Sequence, residues 1–293
     1  MIRPEIRRII VNMALAGCAC VWWAVGAQAQ TQLTYAVTDD AKEVLIGNIL
    51  KLAIEKSGRG GEFTHNVRNE SLTETRLVES VKTGSITVMW AGTQKEYEEQ
   101  LLPIRIPLFK GLLGHRIFII RQGDQPKFDR VQTLEDLRQI PIGQGREWGD
   151  TVVLKAANLN VVAPLKYESL FHMLDGGRFD AFPRAVHEPW SEVTSRPDLN
   201  LTIEKRILLV YPFAMYFFVS KDNHQLAKVI EQGMRNAIAD GSYDDIFFAN
   251  PVIKDALDRA NLQERKVFRL SNPNMSPLTP FDDKSLWLNL EDL

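Results

Sequence analysis

The order of apolar segments along the chain constrains the fold more than any other feature of the sequence. Residues 33–37 have the pattern of a strand, and residues 42–56 carry apolar side chains at helical spacing. The same order of strand and helix returns after residue 115 and continues to about residue 240. Such alternation predicts an α/β fold, in which helices cover the faces of a β-sheet.

A unit of helix, glycine and strand occurs twice in this pattern. Leu77, Val81, Gly84 and Ile86 recur at a constant offset of 93 residues as Leu170, Leu174, Gly177 and Phe179. Two interpretations are open, because any corner between a helix and a strand uses such residues, whereas two lobes of like design would use them twice. In the second case residues 91–93 and 183–185 face each other across a crevice, where α/β folds bind ligands.

Short polar motifs predict where several helices begin. The segments that start at Ser71 and Thr133 each place a carboxylate three residues after a hydroxyl, which is the spacing of a capping box. Asp150 is predicted to be the N-cap of a helix that runs to residue 158. Residues 223–240 are predicted to form one long helix.

The first 29 residues have the features of an export signal. Three arginines precede the apolar residues 9–25, and Ala27-Gln28-Ala29 has the small-residue spacing that signal peptidase requires. We expect cleavage after Ala29 and a periplasmic location. Two alternatives stay open, namely an uncleaved membrane anchor and lipidation at Cys18, since Leu15-Ala16-Gly17-Cys18 resembles a lipobox.

The cysteines and the charges exclude several functional classes. Cys18 and Cys20 are the two cysteines of the chain, and both lie in the predicted signal. The mature protein would therefore lack disulfides and thiolate metal sites. The chain has 35 basic and 37 acidic residues, of which 32 and 36 lie beyond the signal. No basic stripe is present, so nucleic acid is not an expected partner.

Four motifs occur in order along the chain, at residues 80–86 with 91–93, residues 132–137, residues 142–145 and residues 174–181. Together they resemble those of the family 3 extracellular solute-binding proteins of bacterial ABC-type amino-acid uptake systems. The resemblance implies the two-lobed, type II periplasmic-binding fold, in which each lobe is a β-sheet flanked by helices. It further implies capture of a small polar solute, amino-acid-like or anionic, between the lobes.

The same resemblance implies how the chain is divided. The expected parts are a signal peptide at 1–29, lobe 1 at 30–112, lobe 2 at 113–213, a return to lobe 1 at 214–270 and a surface tail at 271–293. Two chain crossings, near residues 109–114 and 211–216, would form the hinge. The implied partner is an ABC permease, or alternatively a membrane sensor, and we expect a monomer.

The sequence departs from the resemblance where amino-acid binders of this family hold their ligand. Glu96 stands where a lobe 1 arginine usually binds the ligand carboxylate. Arg184 and Ala185 occupy the stretch in which a lobe 2 aspartate usually binds the ammonium group. An ordinary L-amino acid is therefore not the expected ligand. We expect instead a ligand that carries an anionic group or a strong hydrogen-bond acceptor.

Eight residues are candidates for contact with the ligand. They are Asp39, Trp90, Thr93, Arg105, Arg146, Trp148, Arg184 and Glu188. Arginines and backbone N–H groups before a helix suit an anion, and tryptophans suit the flat side of a ligand. Each also has a structural interpretation: Asp39 as a helix cap, Arg105 and Arg146 as solvated side chains, and Arg184 as the partner of Asp180 or Glu188.

Catalysis is a separate hypothesis, and it depends on His187 beside Glu188, the one adjacent histidine–carboxylate pair near the predicted crevice. The five histidines lack metal-ligand spacing, and no nucleophile elbow or phosphate-binding loop occurs. We therefore predict a binding protein without a metal or another cofactor. A dehydratase-like enzyme on the same fold is the less favoured alternative.

Overall fold

The computed structural model describes residues 30–288. The predicted export signal at 1–29, including Cys18 and the cleavage site after Ala29, lies outside the described residues. The last residues of the predicted tail, 289–293, lie outside them as well.

Strands and helices alternate along the described part of the chain, as the pattern of apolar residues predicted. The strands are β1 (Thr31–Ala36), β2 (Phe63–Arg68), β3 (Val88–Gly92), β4 (Leu101–Ile104), β5 (His115–Arg121), β6 (Ile142–Gly143), β7 (Val161–Val162), β8 (Phe182–Ala185), β9 (Leu201–Ile203), β10 (Ile207–Val210), β11 (Met215–Ser220) and β12 (Lys266–Arg269). The α-helices are α1 (Ala41–Ile54), α2 (Glu74–Lys82), α3 (Lys95–Gln100), α4 (Gln125–Asp129), α5 (Leu134–Arg138), α6 (Gly149–Ala156), α7 (Tyr167–Asp175), α8 (Pro189–Thr194), α9 (His224–Ala239), α10 (Ser242–Ala249) and α11 (Pro251–Arg259).

The strands pair in two groups. In the first strand group, β1 pairs with β2, and β11 lies between β3 and β4. A hydrogen bond of 2.7 Å from Thr87 N to Thr34 O joins these two sheets next to β3. In the second strand group, the order is β12-β10-β5-β8 with β9 also on β5, and the β6-β7 pair is attached through a bridge between Ile142 and Ala181.

One strand lies in a different group from the one that the lobe division implied. Residues 214–270 were expected to return to the first lobe, and β11 does pair with β3 and β4. β12, however, runs parallel to β10, with Phe268 opposite Leu209. The end of that range therefore belongs to the second strand group, because the buried Phe268 side chain packs in the same core as Leu209.

The helix starts agree with the polar motifs in part. Thr133 and Asp136 form the predicted capping box, with Asp136 N to Thr133 Oγ1 at 3.1 Å and Thr133 N to Asp136 Oδ2 at 2.8 Å. Asn223 caps α9. The predicted cap at Ser71 is wrong, because α2 begins two residues later and Thr73 accepts the bond from a backbone N–H.

The predicted cap at Asp150 is also wrong. Trp148 holds the N-cap position of α6, and Asp150 lies within the first turn of that helix. Its side chain is buried and forms an ion pair with Arg116. Asp150 therefore pairs with a residue that is distant in sequence and does not cap the helix.

The two repeated corners have the same turn. Gly84 has φ of +78° and Gly177 has φ of +70°, a left-handed conformation that residues with a Cβ rarely adopt. The strands after them begin later than predicted, at Val88 and Phe182. Arg184 therefore lies within β8 instead of just after it.

The first strand group is covered by α1 and α9, which pack closely. Gly233 in α9 permits this, because a Cβ there would lie 1.6 Å from the carbonyl oxygen of Ala53 in α1. The tail then returns across the surface, with Asn272 Nδ2 donating to Pro212 O at 2.8 Å and Leu288 N to Lys110 O at 2.8 Å. The tail thus contacts both segments in which the sequence predicted a hinge.

Candidate functional site

Seven charged side chains meet where the two strand groups face each other, and we refer to them as the charge cluster. Its members are Lys42, Glu43, Arg116, Asp150, Arg184, Glu188 and Glu192. Lys42 and Glu43 lie in the first turn of α1, directly after β1, and the others come from β5, α6, β8 and the start of α8. Side chains from both strand groups therefore form one electrostatic network.

Glu188 is the centre of this network because its carboxylate contacts three cations. Its Oε1 lies 3.0 Å from Arg184 Nη2 and 3.2 Å from Lys42 Nζ, and its Oε2 lies 3.5 Å from Arg116 Nη1. It also accepts a hydrogen bond of 2.9 Å from Ala185 N. Burial would raise the pKa of Glu188, but the three cations outweigh burial and hold that pKa well below its usual range.

Arg184 and Glu192 form the most complete pair in the charge cluster. Arg184 Nε donates to both oxygens of Glu192, at 3.0 and 2.8 Å, and Arg184 Nη2 donates to Oε1 at 2.5 Å. Tyr167 donates a hydrogen bond of 2.6 Å to the same oxygen. The guanidinium lies 4.9 Å from the ring centroids of both Trp148 and Phe182. The Arg184 guanidinium therefore already has hydrogen-bond acceptors and ring contacts within the protein.

Arg116 and Asp150 extend the network toward the end of β10. Arg116 Nη2 lies 2.9 Å from Asp150 Oδ2, and Tyr211 donates to that same oxygen at 2.9 Å. The Arg116 guanidinium also lies over the rings of Tyr211 and Phe213, 5.9 and 5.6 Å from their centroids. The second predicted chain crossing, at residues 211–216, is thereby tied to the cluster.

The first strand group contributes Lys42, Glu43 and Trp90. Trp90 Nε1 donates to Glu43 Oε2 at 2.7 Å, and burial raises the pKa of Glu43 above its ordinary value. Burial alone would lower the pKa of Lys42, but the Glu188 and Glu43 carboxylates outweigh burial and raise it. The Lys42–Glu188 contact is the ion pair of the cluster that joins residues of the two strand groups.

His187 lies beside the charge cluster but does not have the contacts of an acid–base residue. Its ring stacks on Phe109, with centroids 4.1 Å apart and planes within 8°. Neither ring nitrogen has a hydrogen-bond partner among residues 30–288. Burial lowers the pKa of His187 to about 3, so the ring is neutral at ordinary pH. The geometry therefore does not support proton transfer between His187 and Glu188.

Glu74 is a buried acidic residue of the first strand group that lies close to carboxylates of the second. Glu74, at the start of α2, accepts a hydrogen bond of 2.6 Å from Tyr97. Burial raises the pKa of Glu74 to about 7, and Asp150 and Glu147 of the second strand group add to this rise. Carboxylates from the two strand groups therefore repel each other around Glu74.

The structure brings four of the eight predicted ligand residues to the charge cluster and leaves four outside it. Trp90, Trp148, Arg184 and Glu188 belong to the cluster or contact it directly. Arg105 pairs with Glu98 at 2.5 Å, and Thr93 donates to the other Glu98 oxygen at 2.7 Å. The carbonyl oxygen of Thr93 lies near the second strand group, 3.3 Å from the position that a Cβ at Gly149 would occupy.

The other two predicted residues point away from the cluster. Asp39 is exposed, and Asp40 instead caps α1 by accepting from Lys42 N at 2.8 Å. Arg146 is exposed and donates to the carbonyl oxygen of Ala163 at 3.1 Å. Asp180, considered as a partner of Arg184, pairs with Arg121 and Lys127 instead. The role of each of the eight residues in binding stays a prediction.

Several members of the cluster are not predicted from the sequence. Lys42, Glu43, Arg116 and Glu192 were not candidates, and Asp150 was predicted only as a helix cap. One signal was available for Glu192, because Arg184, Glu188 and Glu192 follow one another at intervals of four residues. No comparable local signal marks Lys42 or Arg116, whose partners are distant in sequence.

Two further structural findings concern the described residues. Within residues 30–288, no group of three or more His, Cys, Asp or Glu side chains has the arrangement of a metal site. In that same part of the chain, none of the helices combines the length and the apolar character needed to cross a bilayer.

Comparison with known proteins identifies the fold through structure and not through sequence. No protein-family model matches the chain, and a search of curated proteins finds no match. Many solved structures do match. An ancestral arginine-binding protein bound to arginine is 18% identical, with a TM-score of 0.56, over 75% of this chain and 98% of that one.

Two other solved structures resemble the chain to the same degree. An arginine-specific periplasmic binding protein of Salmonella typhimurium is 16% identical, with a TM-score of 0.56, over 74% of this chain and 97% of that one. A histidine kinase sensor domain similar to periplasmic binding proteins is 14% identical, with a TM-score of 0.55, over 76% and 97%. These similarities establish the type II periplasmic-binding fold and confirm the two-lobed α/β architecture predicted from the sequence.

Proposed function

We propose that the protein is an exported solute-binding protein of the family 3 type, which captures a small polar solute between its lobes for an ABC-type uptake system. The observation that carries the proposal is the position of the charge cluster. It lies between the two strand groups of a fold whose solved examples include amino-acid-binding proteins of such transporters. The ordered motifs in the sequence support the same assignment independently.

The chemistry of the cluster favours a ligand that carries charges of both signs, or a cation, over a simple anion. The cluster combines four carboxylates with three cations. Arg184 and Arg105, which were expected to attract an anion, are each paired with a glutamate of the protein. An amino-acid-like solute offers both an acceptor for Lys42 and a donor for Glu43 or Glu188.

The mechanism that we infer is an exchange of partners at the Lys42–Glu188 contact. This ion pair of 3.2 Å is the direct charge–charge link between the strand groups, and Lys42 keeps about one fifth of its side chain exposed. A ligand carboxylate would take over Lys42 while the ligand ammonium takes over Glu188. A ligand that contacts both lobes stabilises their closed arrangement by its difference in affinity for the two states.

The binding experiment measures thermal stability of the purified mature protein in the presence of amino acids, polyamines and small dicarboxylates. A ligand that binds only the native state raises the apparent melting temperature. We expect a response to at least one compound with an ammonium or guanidinium group. Calorimetry then compares wild type with Lys42→Gln and Glu188→Gln, for which we expect affinity losses of tens to thousands of fold.

The matched control is Lys51→Gln, which removes an exposed lysine from the last turn of the same helix, α1. This variant should bind the ligand as wild type does. Equal affinities of Lys42→Gln and wild type would place the ligand elsewhere. Analysis of the ligand after incubation separates binding from catalysis, since a product formed over many turnovers would contradict a binding protein.

A separate experiment tests export of the protein in its host cell. We propose a periplasmic location, and N-terminal sequencing of the protein from the cell envelope should begin at Gln30, with the protein present in osmotic-shock fluid. A lipidated Cys18 at the N-terminus would instead establish a lipoprotein.

A further inference from the structure

A cavity outside the charge cluster has the features of a second binding site. It has a volume of about 420 Å³ and lies between the ends of β5, β10 and β12 and the returning tail. We refer to it as the tail cavity. Its volume falls within the range of about 300–1,000 Å³ that is usual for small-molecule sites.

The tail cavity adjoins the charge cluster at Tyr211 and Phe213, and the strand register explains why His115 and Arg116 nevertheless belong to different sites. Arg116 lies opposite Leu209, and the next pair along the same two strands is His115 opposite Val210. Successive side chains on a strand point to opposite faces of the sheet. Arg116 takes part in the charge cluster, so His115 lies on the other face and lines the cavity.

The register of β10 and β12 places Arg269 in line with His115 and Val210. Val210 lies opposite Arg269 of the neighbouring strand β12, so His115, Val210 and Arg269 form one row across three strands. All three line the tail cavity. The proximity of Arg269 also contributes to the lowered pKa of His115, although burial is the larger cause.

The opposite wall is apolar and is supplied by the tail. Phe281 and Trp287 stack with ring centroids 5.1 Å apart, and the indole N–H donates to Pro280 O at 2.8 Å. Gly111 lets this wall approach, because a Cβ there would lie 2.7 Å from the indole ring, and its φ of +84° favours glycine. The wall is therefore held in place by the protein's own contacts.

The charges around the tail cavity are unbalanced. Among residues 30–288, no aspartate or glutamate lines it. Lys110 has a counterion outside the lining, Asp244 Oδ1 at 2.7 Å. Within residues 30–288, Arg269 forms no ion pair and is exposed. The cavity thus combines a cation that no described carboxylate neutralises with an aromatic wall.

We propose that the tail cavity binds a small carboxylate with an aromatic or aliphatic body. The carboxylate pairs with Arg269, whose guanidinium suits it as a planar fork. The body of the ligand packs against Phe281 and Trp287. Tyr211 and Phe213 line the cavity and also contact Arg116 of the charge cluster, but the proposed carboxylate partner, Arg269, is not a member of that cluster.

Benzoate is the probe, and calorimetry on the full mature protein measures its binding. Acetate supplies the charge without the ring, and benzyl alcohol supplies the ring without the charge. We expect saturable binding of benzoate at one equivalent and weaker binding of the other two compounds. Absence of saturable benzoate binding, or equally tight binding of benzyl alcohol, would overturn the proposal.

Substitutions at Arg269 and at control positions test where benzoate binds. Arg269→Gln should weaken benzoate binding by about tenfold or more, because a hydrogen bond to a charged group is lost, and Arg269→Lys should restore part of the affinity. Lys266→Gln is the matched control, since Lys266 belongs to the same strand on the opposite face and contacts Gln132. A loss in Lys42→Gln without a loss in Arg269→Gln would place benzoate in the charge cluster and refute the proposal.

Discussion

The charged side chains on the two faces of β5 differ in whether they form ion pairs. On one face, Arg116 enters a cluster in which every cation has a carboxylate within 3.5 Å. On the other face, His115 and Arg269 line a cavity to which residues 30–288 contribute no carboxylate. The charges of the first region are paired, whereas Arg269 in the second has no ion-pair partner among those residues, although Arg116 and His115 are adjacent in sequence.

This difference follows from the cost of burying charge. An ion pair that is removed from water must repay a desolvation penalty of several kcal/mol per ion through close geometry and additional hydrogen bonds. Arg184 meets this condition through Glu192, Glu188 and the surrounding rings. Arg269 is exposed and forms no ion pair with another residue of 30–288, so it does not bear this cost and can pair with a ligand. The cluster should therefore determine stability, whereas the cavity should have little influence on it.

The largest effect is expected from Glu192→Gln. This substitution leaves Arg184 buried with half of its pairing lost, and removing one partner of a buried ion pair costs about 3–5 kcal/mol. Urea unfolding at neutral pH measures the loss. Glu168→Gln is the control, because Glu168 pairs with Arg196 at an exposed position and should cost about 1 kcal/mol or less. Equal costs for the two variants would show that the cluster is not buried as described.

A smaller effect, visible only as a pH dependence, is expected from His187→Phe. The pKa of His187 is lowered to about 3 in the folded protein, whereas an unfolded histidine has a pKa of about 6.5. Between these values the unfolded state binds a proton that the folded state does not. Wild-type stability should therefore fall as the pH decreases below about 6.5.

Phenylalanine keeps the stack on Phe109 and removes this titration. The stability of the variant relative to wild type should rise by about 2 kcal/mol between pH 7 and pH 5. Chemical unfolding at several pH values between these limits measures the difference. Parallel curves for the two proteins would mean that the pKa of His187 is the same in the folded and unfolded states.

The smallest effect is expected from Arg269→Gln in the absence of ligand. A surface substitution that breaks no pair changes stability by about 0.5 kcal/mol or less. Urea unfolding of this variant should therefore overlay that of wild type, while its benzoate affinity falls. A clear loss of stability would indicate that Arg269 serves a structural role and would remove the contrast between the two faces of β5.

The features that depend on neighbouring residues can be predicted from the sequence alone. The capping box at Thr133, the helix that follows Asn223 and the glycine turns at Gly84 and Gly177 each result from interactions over a few residues. The order of strands and helices and the ordered motifs were sufficient to predict the type II periplasmic-binding fold. Trp90, Trp148, Arg184 and Glu188 were also identified as residues near the interlobe region.

The pairing of the charged side chains, in contrast, depends on how distant segments of the chain pack together. Lys42 lies 146 residues from Glu188 in sequence, and Arg116 lies 34 residues from Asp150, so no local pattern relates them. Asp150 had the chemistry of a helix cap, yet its side chain pairs with the buried Arg116, because a buried cation without a carboxylate costs more than a helix without a side-chain cap. Burial, which depends on how the whole chain packs, therefore decided the partner of each charge and left Arg269 beside an open cavity.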